Sequence, residues 1–174
     1  MNARDTKTAE FTIREFRRSD FNTLWEIDQQ CFPPGISYSP LELLTYMRRL
    51  RSFTLVAEQP VSGSGNQDGE VARPVGFIVG EAGRRQTGHI ITIDVLEEAR
   101  RSGLGSKLLR AAEQRLRAAG CRAVFLEAAV DNAAALAFYK RHDYFLMKTL
   151  PRYYSSGVDA FMLNKDLRLQ DMSM

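Results

Sequence analysis

The sequence predicts a mixed α/β fold, with a mostly antiparallel seven-stranded sheet flanked by about four helices. Three observations carry this expectation. Apolar residues recur with period two in some segments and at three- to four-residue steps in others, the signatures of strand and helix. Successive strand-like runs joined by glycine-rich turns read as antiparallel hairpins, whereas a helical run between two later strands reads as a crossover. The 174 residues keep one composition regime, 44% hydrophobic and 26% charged, without an internal repeat, which is the profile of one domain with a sizeable core.

The elements follow in order. In EFTIREF, Phe11, Ile13 and Phe16 alternate with polar neighbours and form a first strand. Ser19 or Asp20 then caps a helix carrying Phe21, Leu24 and Ile27 on one face, and Pro33, Pro34 and Gly35 forbid its continuation. Ser39 followed by Pro40 reads as an N-cap and first-turn proline for a second helix with Leu41, Leu44 and Met47. SFTLVAE and PVGFIVGE are neighbouring strands joined by a mobile hairpin loop over 59–73, rich in Gly, Ser, Asn and Asp, and GHIITIDV is a strand rich in β-branched residues. A helix opens at the glycines after Arg101, with Leu104, Leu108, Ala112 and Leu116 at four-residue steps, and stops at Gly120. RAVFLEAA is apolar enough for a strand covered on both faces, and Asp131 or Asn132 caps a short helix through AAALAFYKRH. DYFLMKTL and VDAFMLNKDL close the domain, which spans 11–167 between a flexible N-terminus (1–10) and a C-terminal tail (168–174).

Composition excludes several classes. A net charge of +3 from 24 basic and 21 acidic residues is too balanced for direct nucleic-acid binding through bulk charge. The pairs Arg17–Arg18, Arg48–Arg49 and Arg84–Arg85 read as solvated surface; Arg100–Arg101 differs because glycines follow it. Cys31, Cys121, His89 and His142 have no metal-ligand spacing, so no metal is expected. No signal peptide or membrane span is apparent, which points to a cytoplasmic protein with no membrane partner, a monomer or weak homodimer.

The chemistry centres on ARRSGLGSKLL. A helix N-terminus offers unpaired N–H groups and partial positive charge, glycines admit an anion to the backbone, and arginines add forked donors, so phosphate is the natural guest. A nucleoside triphosphate is excluded by spacing, because Lys107 is not preceded by GxxxxG or followed by a hydroxyl. A dinucleotide fits poorly: Gly103 and Gly105 begin GxGxxG and Glu127 has roughly the ribose-binding spacing, but Leu108 replaces the third glycine. The pyrophosphate of coenzyme A remains. The pattern R-x-x-G-x-G, here Arg100, Gly103 and Gly105, together with FLEAAVDNAAALAFYKRHDYF and RYYSSGVDAFMLNKDL, resembles the GNAT superfamily of acyl-CoA N-acyltransferases. Within it the chain looks most like the bacterial ribosomal-protein alanine N-acetyltransferases, and CFPPGISYSP is similar to eukaryotic and archaeal N-terminal acetyltransferases.

That resemblance implies an acetyl-CoA-dependent N-acetyltransferase acting by direct attack on the thioester. The pantetheine arm is expected along the backbone of Ile93, Asp94 and Val95, and the pyrophosphate on Arg101, Ser102, Gly103, Leu104, Gly105 and Ser106, with Arg100 beside them. Glu127 corresponds to the catalytic base, Tyr139 to the general acid at the cofactor sulfur, and Asn132 to a helix cap that also meets the cofactor arm. His89 stands where a residue on the same strand assists the base, or is a surface histidine. Phe32, Pro33 and Tyr38 form one acceptor wall, and Tyr153 and Tyr154 the other.

An α-amino group, with a pKa near 7.7–8.0, is easier to deprotonate than lysine near 10.4, so a protein N-terminus of the ribosomal-protein type is the expected acceptor. The alternatives are a small amine such as a polyamine or antibiotic, or a non-catalytic acyl-CoA sensor. Two departures from the family stand out. Asp143 replaces the usual glycine after the tyrosine helix, and the doubled proline of CFPPGISY bears on which first residue is accepted.

Overall fold

A computed structural model describes residues 10–61 and 72–168. Most of the expected mobile loop, and nearly all of both expected flexible termini, lie outside the described residues. The described chain forms one seven-stranded sheet in the order β1-β2-β3-β4-β5-β7-β6. The strands are β1 (Thr12–Glu15), β2 (Ser52–Pro60), β3 (Ala72–Ala82), β4 (Thr87–Val95), β5 (Ala123–Ala129), β6 (Phe145–Leu150) and β7 (Ala160–Asp166). The α-helices are α1 (Phe21–Cys31), α2 (Pro40–Met47), α3 (Leu104–Ala118) and α4 (Ala133–Arg141). All pairings are antiparallel except β4 with β5, which α3 connects.

The core forms where α1 and α3 meet β3. This strand is buried without a break from Val75 to Gly80, as expected of a strand covered on both faces. On α3 the stripe Leu104, Leu108, Ala112 and Leu116 is fully buried, as its spacing predicts, and Leu109 joins it. Each such leucine contributes about 1.5–3 kcal/mol by burial. Beneath the helix, Glu113 accepts from Lys165 Nζ at 2.9 and 3.0 Å and from the Tyr144 hydroxyl at 3.0 Å, which ties α3 to β7 and to the segment after α4.

Three local expectations are corrected. Asp20 precedes α1, but its side chain does not cap that helix; the carboxylate takes the Arg17 N–H at 2.7 Å and the Arg14 guanidinium at 2.7 and 2.9 Å, because a single 3-10 turn intervenes at Arg18–Asp20. In α2 Ser39 caps the helix as read, and Glu42 completes a capping box with it, yet Leu43 is the buried residue and Leu41 is 74% exposed. An eight-residue helix lying on β2 needs only a narrow stripe, and the 3.6-residue period places Leu43, not Leu41, on it. Finally, β5 alternates between buried and half-buried residues up to Ala128 instead of being covered on both faces, since Val124, Leu126 and Ala128 on one face join the core while Ala123, Phe125 and Glu127 on the other do not. Along its edge toward β4 the sheet opens into a gap.

Candidate active site

The gap arises between the two parallel strands. β4 and β5 pair only at Thr87–Ala123, Gly88–Val124 and His89–Phe125, although both strands run on for several residues. A bulge at Ile91, where the register of β3 with β4 skips one residue, bends β4 at this point. Beyond His89, β4 therefore keeps its β3 partner on one edge and has no β5 partner on the other. An extended ligand can lie along that open edge, which includes Ile93, Asp94 and Val95.

The structure brings His89 and Glu127 together at the apex of the gap. Nε2 of His89 lies 2.6 Å from Oε2 of Glu127, so the ring donates to the carboxylate from Nε2. His89 also stacks on Phe125, its cross-strand neighbour, with centroids 4.2 Å apart and planes 11° from parallel. Register thus fixes the imidazole, and the imidazole orients the glutamate two residues further along β5. Both side chains are mostly enclosed yet retain some access, 21% for His89 and 11% for Glu127.

Two loops flank this pair. The α1–α2 loop carries Phe32, Pro33 and Tyr38, and is tied down from several directions. The Tyr38 N–H donates to Asp28 at 2.8 Å, the Tyr38 carbonyl accepts from Trp25 and Gln29, and the Tyr38 hydroxyl donates to the carbonyl of the bulge residue Ile91 at 3.4 Å. The β6–β7 loop carries Tyr153 and Tyr154, whose rings meet edge to face at 5.0 Å. Burial first, and then the neighbouring Glu127 carboxylate, push the Tyr153 hydroxyl up to about 12. Burial also raises Tyr154, which feels Tyr153 and Glu127. The loops touch at Gly35, whose carbonyl accepts from Ser155 Oγ at 3.1 Å. Gly35 has φ +86°, and a Cβ there would lie 2.9 Å from that of Ser156, so both backbone shape and closeness require glycine.

The glycine corner lies beyond the other end of the open edge. Arg101 and Gly103 adopt left-handed conformations, φ +58° and +84°, which turn successive backbone N–H groups inward as an anion nest. Ser102 braces it, donating to the Ala99 carbonyl at 2.6 Å and accepting from the Leu104 N–H. The N–H groups of Gly105 and Ser106, in the first turn of α3, face the same end. Arg100 behaves differently from its neighbour: its Nε donates to the Val95 carbonyl at 2.8 Å and fastens the loop to β4.

Asn132 caps α4 as read, accepting from the Ala135 N–H at 3.1 Å. Seven residues on, Tyr139 is 7% exposed, its hydroxyl makes no hydrogen bond among the described residues, and burial raises its pKa. Asp143 takes the left-handed conformation at φ +63° after α4, which an aspartate tolerates.

Sequence reasoning named Asp94 for its backbone and missed Asp28; both are buried acids behind the site. Asp94 is 1% exposed; one carboxylate oxygen accepts from Thr92 Oγ1 at 2.6 Å and the other has no partner, and burial raises it well above the usual range. Asp28, fully buried, is pushed up to about 6 by burial, and one of its oxygens is also unpartnered. The signal was present in α1, where Asp28 falls on the apolar stripe of Leu24 and Ile27.

Comparison with known proteins finds acetyltransferases similar to this chain. The model of the acetyltransferase (GNAT) family matches residues 21–144. An uncharacterized N-acetyltransferase of Methanocaldococcus jannaschii is 33% identical over 88% of this chain and 90% of its own. An N-alpha-acetyltransferase of Sulfurisphaera tokodaii is 29% identical over 90% of this chain and 93% of its own. The crystal structure of Ard1 from Thermoplasma volcanium superposes with a TM-score of 0.75 at 30% identity, covering 90% of this chain and 97% of that one.

Proposed function

The chain belongs to the acetyltransferase (GNAT) family, and from that premise we propose that it transfers the acetyl group of acetyl-CoA to the α-amino group at a protein N-terminus. The observation that carries the reading is the His89–Glu127 pair at the apex of the gap, 2.6 Å between the two atoms. It lies between an open strand edge leading to an anion nest and a mouth walled by aromatic residues.

The residues present fit the donor. The left-handed turns at Arg101 and Gly103 and the free N–H groups opening α3 suit a pyrophosphate, and the unpaired edge of β4 at Ile93–Val95 suits the amide-bearing pantetheine arm. Acetyl-CoA supplies an acyl group already activated as a thioester. The protein then has to move two protons and hold the reacting groups in line. Glu127 receives a proton from the incoming ammonium, and His89, bonded to it, fixes the carboxylate and offers a path outward. The Tyr139 hydroxyl, kept protonated by burial, hands its hydrogen to the departing sulfur. Asn132 holds the start of α4 so that Tyr139 keeps its place.

Two features support an α-amine over a lysine. A carboxylate aided by a histidine is matched to an amine of pKa about 8 and poorly matched to one near 10.4. The walls that meet at Gly35 and Ser155 suit the slender end of an extended chain, with the Tyr153 and Tyr154 hydroxyls available to its backbone and Tyr38, Phe32 and Pro33 lining the other side, beside its first side chain. The relatives named N-alpha-acetyltransferase support the same acceptor class. Among the described residues no helix is long and apolar enough to cross a membrane. The test is release of free thiol from acetyl-CoA with a panel of peptides and small amines: turnover is expected with free peptide N-termini, and turnover with polyamines alone would overturn the acceptor assignment.

A further inference from the structure

His142 entered the sequence analysis only as an absent metal ligand. In the fold it ends α4, its N–H donating to the Tyr139 carbonyl at 3.0 Å, and its ring reaches back to the opening of α3. Nε2 of His142 lies 2.9 Å from Oγ of Ser106, the third residue of α3. Its ring also rests against Phe138, centroids 4.7 Å apart. Phe138 in turn packs beneath Gly105, where a Cβ would lie 3.5 Å from its ring. The end of α4 therefore supports two successive residues of the anion nest, one by packing and one by a hydrogen bond.

Hydrogen-bond direction gives this contact a function. A serine hydroxyl has one hydrogen. If it were spent on His142, the oxygen would turn lone pairs toward an incoming phosphate and repel it. If His142 instead donates from Nε2, the serine hydrogen is free for the anion, and the positive end of α3 favours that orientation. Nδ1 has no partner among the described residues, so it can accept a proton without breaking the bond from Nε2.

We infer that His142 is a positioning residue for the acyl donor: Nε2–H donates to Ser106 Oγ, and the Ser106 hydroxyl donates to a phosphate oxygen of coenzyme A. This inference rests on the coenzyme A reading of the nest. Protonation of Nδ1 adds a positive charge next to the phosphates, so donor affinity rises as pH falls. The charged groups facing the ring are Arg110 and Glu113 from α3, Lys165 from β7 and Arg141 from α4. Burial and the three cations hold His142 below its ordinary value, against the opposing pull of Glu113, which puts the effect below about pH 6.5.

The test is calorimetric binding to the full chain and two variants. His142→Leu removes the donor and is expected to weaken coenzyme A about fivefold to tenfold, with a matching rise in KM for acetyl-CoA. His142→Gln keeps a donor but cannot titrate, and is expected to bind within about twofold of the wild type at pH 8. The pH series uses dephospho-CoA, because it lacks the phosphomonoester whose own second pKa is about 6. Between pH 8 and 5.5 the wild type is expected to tighten relative to His142→Gln. Adding Ser106→Ala should cancel most of the effect of His142→Leu, as coupled residues require.

The outcomes separate the two readings. Failure of the wild-type chain to bind coenzyme A overturns the acyl-donor reading itself. Wild-type binding with His142→Leu unchanged, or parallel pH curves for the wild type and His142→Gln, overturns the role of His142 alone. Should His142→Leu not fold, the pH comparison with His142→Gln decides.

Discussion

Nε2 of His89 and Oε2 of Glu127 are joined at 2.6 Å across two strands whose pairing ends two residues before the glutamate. The bond therefore stands at the point where the sheet opens, and the stacked Phe125 ring keeps the histidine from leaving it. A general base in this position is anchored by β-sheet register, which is more rigid than a loop.

Glu127→Gln is expected to lower kcat/KM about a hundredfold or more. The loss is greatest at low pH, where the acceptor is protonated, and narrows above the α-amine pKa of about 8. Coenzyme A affinity is expected to stay unchanged. His89→Phe, which keeps the stack on Phe125 but loses the bond, should cost about tenfold in kcat/KM. A pH–rate profile of Glu127→Gln that overlays the wild type would remove Glu127 as the base.

Arg101→Ala should raise KM for acetyl-CoA about fivefold to tenfold with kcat held. Arg100→Ala, by contrast, leaves the Val95 carbonyl only its weaker contact with Cys31 Sγ and loosens the loop, so its cost is expected partly in thermal stability. Kinetics and melting curves of the two variants separate these roles, and identical behaviour would contradict the division.

Gly35→Ala meets both a left-handed backbone and the Ser156 side chain. The two acceptor walls should separate, raising peptide KM at least about tenfold while coenzyme A binding, measured calorimetrically, is unchanged. Loss of donor affinity in this variant would mean that the loops belong to the donor site.

Asp28 predicts a stability effect with a definite sign. Its folded pKa of about 6 lies above the reference 3.8, so the folded state holds the proton more tightly. The carboxyl therefore costs stability progressively as pH rises from about 4 to 6, and by about 2–3 kcal/mol above that window. Asp28→Asn, whose side-chain oxygen can still accept from the Tyr38 N–H, should be more stable than the wild type at pH 7.5, with the difference closing near pH 4.5. Denaturant melts at both values check this, and a constant difference would contradict it.

Much of the fold was legible because local chemistry dictated it. Ser39–Pro40 starts α2, the leucine steps and Gly120 bound α3, and Asn132 starts α4. The misses were long-range. Nothing in RAVFLEAA states that β4 departs after His89 or that only one face of β5 joins the core, so neither could be read from its apolar composition. The Asp20 carboxylate was claimed by Arg14, a partner on β1, which no capping rule anticipates. Of the proposed site, the glycine spacing marked the nest, and the family resemblance marked Glu127 and Tyr139. The bond from His89 to Glu127 spans 38 positions and that from Ser106 to His142 spans 36, so both depend on how the chain returns to itself.

The most direct measurement of the central claim is mass spectrometry of a peptide that carries both a free N-terminus and an internal lysine, incubated with the wild-type protein and acetyl-CoA. One acetyl group on the α-amine, and no reaction once that amine is blocked, is the result expected. Acetylation of the lysine alone, or no transfer to any peptide despite measurable coenzyme A binding, would contradict it.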